Sequence, residues 1–177
     1  MNTRVATRAL AVVVGATLLA GSPPAAAHVV LQEGQAPADS YHTAKLVVPH
    51  GCEAAPTLAL RVRLPAGLTS VKPQPKPGWT LSIERGPRPA PVIDAHGTEH
   101  TEGVQAIVWH GGNLPDSQFD TFSIMMRLPE AADTVLHFPV VQTCAGAERH
   151  WTEVPESGAH AHDLESPAPA LRLTAPE

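Results

Sequence analysis

The residue with the most distinctive chemistry is His28. The run Ala25-Ala26-Ala27 just before it has the A-x-A form of a signal-peptidase site. Cleavage after Ala27 gives His28 a free α-amine. One residue then offers two nitrogens, the amine and ring Nδ1, which close a six-membered chelate ring on a metal ion. The amine has an ordinary pKa of about 7.7–8.0 against about 10.4 for lysine, so a metal displaces its proton more readily at neutral pH. Nitrogen donors in a planar set suit Cu(II) best among the common divalent ions. The alternative is that His28 follows the cleavage site by chance. Cleavage one residue earlier would leave Ala27 in front and remove the chelate.

Other candidates are weaker. Cys52 and Cys144 are the only cysteines. In an oxidising compartment such a pair is expected to form a disulfide; a metal ligand or reactive thiol is the alternative. A blue-copper loop needs Cys, His and Met close together, and no Met follows Cys144. His96 and His100 are four apart, but Gly97 and the surrounding composition read as a surface loop rather than a zinc-binding helix. His160 and His162 are either a solvated pair or a weak accessory site. His50 is expected to cap a turn beside the disulfide. His42, His110, His137 and His150 read as structural. G-x-S-x-G, H-E-x-x-H and phosphate-loop signatures are all absent, which points away from an enzyme.

Residues 1–27 are expected to be a cleavable signal peptide. Arg4 and Arg8 precede an apolar run over 9–20, shorter than the roughly 20 residues that span a bilayer. The alternative is an N-terminal membrane anchor. With no Cys at the cleavage point and the two arginines apart, neither a lipoprotein nor a twin-arginine signal fits. Removing the signal leaves 150 residues, one domain in size. Ten Lys and Arg then face 17 Asp and Glu, net −7 with His neutral. That balance argues against nucleic acid and anionic membrane surfaces. No later apolar stretch is long enough to span a membrane.

The elements that must position these groups read as strands. Apolar residues alternate in 57–64 (Leu58, Leu60, Val62, Leu64), in 79–84 and in 122–128. Further strands are expected at Tyr41–Val48, 103–109 and 134–141. Turn signals fall at Pro49-His50-Gly51, Pro65-Ala66-Gly67, Pro75-Lys76-Pro77-Gly78, Gly111-Gly112-Asn113 and Leu114-Pro115-Asp116. This pattern predicts an all-β, antiparallel sandwich. Met125 and Met126 fall on opposite faces of their strand. Residues 86–102 read as a long polar loop or hairpin tip, and 156–177 as a flexible Pro/Ala/acid-rich tail.

Four stretches, read together, carry a resemblance. They are Ala27-His28-Val29; Val48-Pro49-His50-Gly51-Cys52-Glu53-Ala54-Ala55-Pro56-Thr57; Trp109-His110-Gly111-Gly112-Asn113-Leu114-Pro115-Asp116; and Phe138-Pro139-Val140-Val141-Gln142-Thr143-Cys144 with Trp151-Thr152-Glu153. In order and spacing, over residues 28–155, they resemble the YcnI-like family of exported bacterial copper-binding domains. The resemblance implies a cupredoxin-like or immunoglobulin-like sandwich. It implies a Cu(II) site built on one histidine, His28, with the carboxylate of Glu53 and a nearby tryptophan, Trp151; Trp109 is the alternative, expected in the core. It also implies a periplasmic or secreted copper carrier or chaperone in copper homeostasis, with copper-importing membrane proteins as partners. Many relatives continue into a C-terminal membrane anchor; none is expected here. Two rivals stand beside this reading. One is a copper-dependent oxidative enzyme, which needs a second histidine and an often aromatic substrate face, whereas aromatics are only 4% here. The other is an interaction domain without metal.

Overall fold

Alternating burial builds two facing sheets in the computed structural model, which describes residues 28–93, 97–156 and 163–176. The expected signal peptide, His96, His160 and His162 lie outside the described residues. The first sheet runs β1-β3-β8-β5, with β1 at Val30–Leu31, β3 at Tyr41–Val48, β5 at Thr69–Pro73 and β8 at Asp120–Arg127. The second runs β11-β10-β4-β7-β6. Here β4 is Thr57–Arg63, β6 Thr80–Ile93, β7 Glu99–Leu114, β10 Val140–Cys144 and β11 Ala147–Trp151. A small third sheet sets β12 (Ala170–Thr174) between β2 (Gln35–Pro37) and β9 (Val135–His137).

The core lies between the two large sheets. Leu46, Val48, Phe122, Ile124 and Met126 from the first meet Leu60, Val62, Ile107, Trp109 and Val140 from the second. Each such side chain contributes about 1.5–3 kcal/mol on burial. Trp109 is fully buried, packs edge-on to Phe122 at 5.3 Å, and donates its indole N–H to the Gln74 carbonyl. It lies in the core as expected, and Trp151, 3% exposed, belongs to the same buried cluster. Met125 and Met126 do take opposite faces, Met125 outward and Met126 inward. The Cys52–Cys144 disulfide forms across a sequence separation of 92, a loop worth roughly 4–5 kcal/mol in the chain-entropy account.

Several sequence expectations need correction. Gly111-Gly112-Asn113 is no turn but part of β7. Gly111 has φ +74, and a Cβ on Gly112 would sit 2.1 Å from the Trp79 ring, so the glycine admits an aromatic face. For 86–102 the hairpin alternative holds: residues 86–93 and 99–102 belong to the outer parts of β6 and β7. Prolines 87, 89 and 91 are tolerated because β6 is an edge strand. The stretch 134–141 breaks at Phe138-Pro139, where the chain passes from the third sheet to the second. The final segment is no flexible tail over its described part: Leu171 and Leu173 of β12 are fully buried, and β12 pairs with both β2 and β9.

Two half-buried histidines each bury one ring nitrogen. His42 Nε2 and His137 Nδ1 have no hydrogen-bond partner among the described residues. Burial lowers the His42 pKa below its ordinary 6.5, helped by Lys45 and opposed by Glu33; burial alone lowers that of His137. The unfolded chain therefore binds protons at these sites that the folded chain resists. Their contribution to stability is full above pH 6.5 and falls away as pH drops through the lowered folded values. Thermal unfolding from pH 8 to 5 should show the midpoint falling below pH 6.5. A His137→Gln variant should show a shallower fall; an unchanged slope would remove His137 from the account.

Candidate metal centre

Four elements converge beside His28. Val29, 1% exposed, and the pairing of Val30 with Val47 and Leu31 with Leu46 fix the chain immediately after it. The half-buried His28 ring lies 5.5 Å from the Trp151 ring, inclined at 60°. Residues Val29–Leu31 and 167–170 wall a shallow cleft of about 300 Å³ beside it. The 166–168 segment is fastened to the residue two beyond Trp151: Glu153 N–H donates to the Ser166 carbonyl, Ala168 N–H to the Glu153 carbonyl, and Ser166 N–H to the Glu153 carboxylate.

Trp151 is held from behind. It is 3% exposed at the end of β11, and its indole N–H donates to Gln142 Oε1 at 3.0 Å. Gln142, itself 1% exposed, donates through Nε2 to the His50 carbonyl at 2.8 Å and to Thr57 Oγ1 at 2.7 Å. Thr57 reaches the core because the β4–β7 register shifts between Thr57 and Ala59. That bulge reverses the alternation: Thr57 turns fully inward, and Leu58, expected inside, is only half-buried. Thr57 Oγ1 also lies 3.9 Å from Cys144 Sγ. The disulfide, Thr57, Gln142 and Trp151 thus form one continuous buried set ending at His28.

Glu53 sits elsewhere than a preformed ligand would. It occupies a tight turn closed by paired bonds between Cys52 and Ala55, with φ +51 at Glu53 and +68 at Ala54. Its side chain is 81% exposed, and its carboxylate lies 3.9 Å from Arg149 Nη2. Arg149 precedes Trp151 by two residues on the same face of β11, a step of about 6.6–6.8 Å. Among the described residues no hydrogen bond or ion pair joins Glu53 to His28, and no three His, Cys, Asp or Glu form a metal-holding group. Of the site residues expected from the sequence, the structure therefore brings His28 and Trp151 together and leaves Glu53 on a neighbouring exposed turn. His50 shapes that turn, its Nδ1 donating to the Gly51 carbonyl at 2.6 Å. His110 and His150 are exposed, beside Ser82 and Glu148.

Gln142 and Thr57 escaped sequence reasoning. The signal was present: in Val140, Gln142, Cys144 a polar residue occupies the inward position of an alternating strand.

Two facing antiparallel sheets around this buried end define an immunoglobulin-like β-sandwich. The chain belongs to the family described as a domain of unknown function (DUF1775), whose model matches residues 28–173. It is similar to an uncharacterized protein from Nocardia farcinica, whose crystal structure reveals an immunoglobulin-like fold. Identity is 28% and the TM-score 0.62, over 83% of this chain and 98% of that one. No curated protein matches. Among the described residues no helix is long and apolar enough to cross a membrane.

Replacing Gln142 by Leu would strand the Trp151 N–H, the Thr57 hydroxyl and the His50 carbonyl. Each lost partner of a buried polar group costs about 1–3 kcal/mol. Urea unfolding of Gln142→Leu should show a loss of roughly 3 kcal/mol, and the Trp151 indole proton should exchange freely with solvent. Trp151→Phe, which frees only one acceptor, should cost less. A Gln142→Leu protein as stable as the parent would mean the amide clamp is not present.

Proposed function

We propose that the protein is an exported Cu(II)-binding protein, a periplasmic carrier or chaperone in copper homeostasis, that holds its cargo through His28. The observation that carries this reading is the placement of Trp151 against His28, at the residue where the family match begins. His28 supplies two donors, amine and imidazole, without needing any other residue to be positioned. Glu53 is the candidate third donor. Its long, exposed side chain on the turn beside β11 is the one to swing from Arg149 toward the metal, adding an oxygen to a tetragonal N,O set. The donors favour Cu(II) over Cu(I), because both cysteines are engaged in the disulfide. The face of Trp151 limits solvent on one side of the imidazole. Copper-importing membrane proteins are the proposed recipients.

The test is Cu(II) titration followed by electron paramagnetic resonance on two proteins, one starting at His28 and one retaining Ala27 in front. The expected result is one tight equivalent with a nitrogen-rich tetragonal spectrum in the first protein only. Glu53→Gln should weaken binding, and Trp151→Phe should change the spectrum more than the affinity. Equal binding by the two forms, or by neither, would overturn the proposal and leave an interaction domain without this metal site.

A further inference from the structure

A second cleft lies at the opposite edge of the sandwich, between β5 and the β6–β7 hairpin. Its volume is about 280 Å³, room for roughly nine waters at about 30 Å³ each. The second sheet is ordered β11-β10-β4-β7-β6, so β6 stands four strands from β11, about 19 Å at about 4.8 Å per strand. The cleft is therefore separate from the His28 site.

Its lining is unlike the rest of this acidic chain. Lys72, Arg85 and Arg88 line it, with Glu102 the one acid and His100 and Ser70 at its walls. Four other cations are matched elsewhere, Arg61 with Glu84, Lys76 with Asp120, Arg127 with Asp39 and Arg149 with Glu53, while Lys45, Arg63 and Arg172 stand apart from this cleft. Lys72, Arg85 and Arg88 have no carboxylate within 4.0 Å among the described residues.

Two features show organisation beyond loose surface charge. First, Arg88 is anchored. Its Nε donates to the Glu102 carbonyl at 2.9 Å. Its guanidinium also lies over Gly103, where a Cβ would come within 2.6 Å of Cζ. Only glycine there lets the guanidinium lie so low, and Nε is held by the Glu102 carbonyl. Secondly, β5 carries a bulge where its pairing with β8 shifts register between Thr69 and Lys72. Ser70 within it has φ +50, a conformation a non-glycine residue keeps only when its surroundings impose it. Basic residues on edge strands also discourage strand-to-strand association. That role needs charges pointing into solvent; it requires neither a shared cleft nor a glycine cradle.

The geometry points to an oxoanion-binding site of the phosphate class in this cleft, with Arg88 as the oriented fork and Lys72 and Arg85 as flanking charges. Guanidinium groups pair with phosphate oxygens bidentately, which explains why Arg88 is the anchored member. The phosphate can be free or the headgroup of an anionic phospholipid; the cleft recognises the same group in both.

Inorganic phosphate titrated into the metal-free protein, followed by ¹⁵N–¹H NMR, tests the inference. Saturable shifts should concentrate at Ser70, Gly103 and the Arg88 Nε–H. Arg88→Gln combined with Lys72→Gln should weaken binding at least about tenfold. Gly103→Ala is the sharper variant. It keeps every charge and displaces only the end of one side chain, and it should weaken binding several-fold. Near-UV circular dichroism confirms that each variant is folded. Sedimentation with phosphatidylglycerol vesicles, against phosphatidylcholine, separates the sources. Gly103-dependent vesicle binding identifies a headgroup; phosphate binding without it identifies the free anion. Absence of binding to both probes, or binding that Gly103→Ala leaves unchanged, overturns the organised site.

Discussion

The end of the sandwich that carries His28 depends on one buried primary amide. Gln142 sits between β4 and β11 with almost no exposure, where an unsatisfied amide is costly. It is matched on three sides, by an indole N–H, a hydroxyl and a main-chain carbonyl. Those partners come from β11, β4 and the loop after β3, so the amide can be satisfied only when all three are in register. The β4 bulge, which breaks an otherwise regular alternation, has a reason in this light: without it the Thr57 hydroxyl would point away from Gln142. The disulfide ties the same loop to the end of β10, two residues beyond the amide. An apolar core can be repacked in many ways; a polar set with fixed donors and acceptors leaves one arrangement, and it is the one that stands Trp151 beside His28.

The two open edges of the sandwich are managed differently. At the β1–β11 edge, β12 and the 166–170 segment close over the core and wall the cleft beside His28. At the β5–β6 edge, prolines, a bulge and unmatched cations stand in place of a covering element. Both are known ways of preventing edge association. They leave chemically opposite surfaces, one apolar and centred on an imidazole with an aromatic neighbour, the other cationic.

Much of the framework was legible because burial on one face imposes a period of two. Tyr41–Val48 has the expected bounds, and β4 and β8 differ from expectation by one or two residues. What was not legible shares a cause: the local signal was ambiguous until a distant partner was known. Gly111-Gly112 has turn composition, yet Gly112 accommodates Trp79, more than thirty residues earlier. The end of the chain has the composition of a tail, yet Leu171 and Leu173 are claimed by β2 and β9. At the site, the His28 and Trp151 rings stand 5.5 Å apart, and the setting of Glu53 does not follow from its sequence position. A left-handed turn conformation aims its side chain outward, toward Arg149.

That setting of Glu53 bears on how a carrier would work. A site with every donor preset in a rigid core binds tightly and releases slowly, because release must strand buried polar groups. Here the rigid part is small. Trp151 is locked by Gln142, and His28 is fixed by the burial of Val29 and a two-residue strand. In the proposed site the first two donors would belong to one residue, so no long-range assembly would be needed to bring them together. The candidate third donor is carried on an exposed turn and is already balanced by a cation at 3.9 Å. Moving it onto a metal gives up only a solvent-screened ion pair, worth about 0–1 kcal/mol, and moving it back restores that pair. In the copper-carrier reading, capture and release are then controlled by one swinging carboxylate at the surface, while the buried amide keeps the aromatic wall in place throughout.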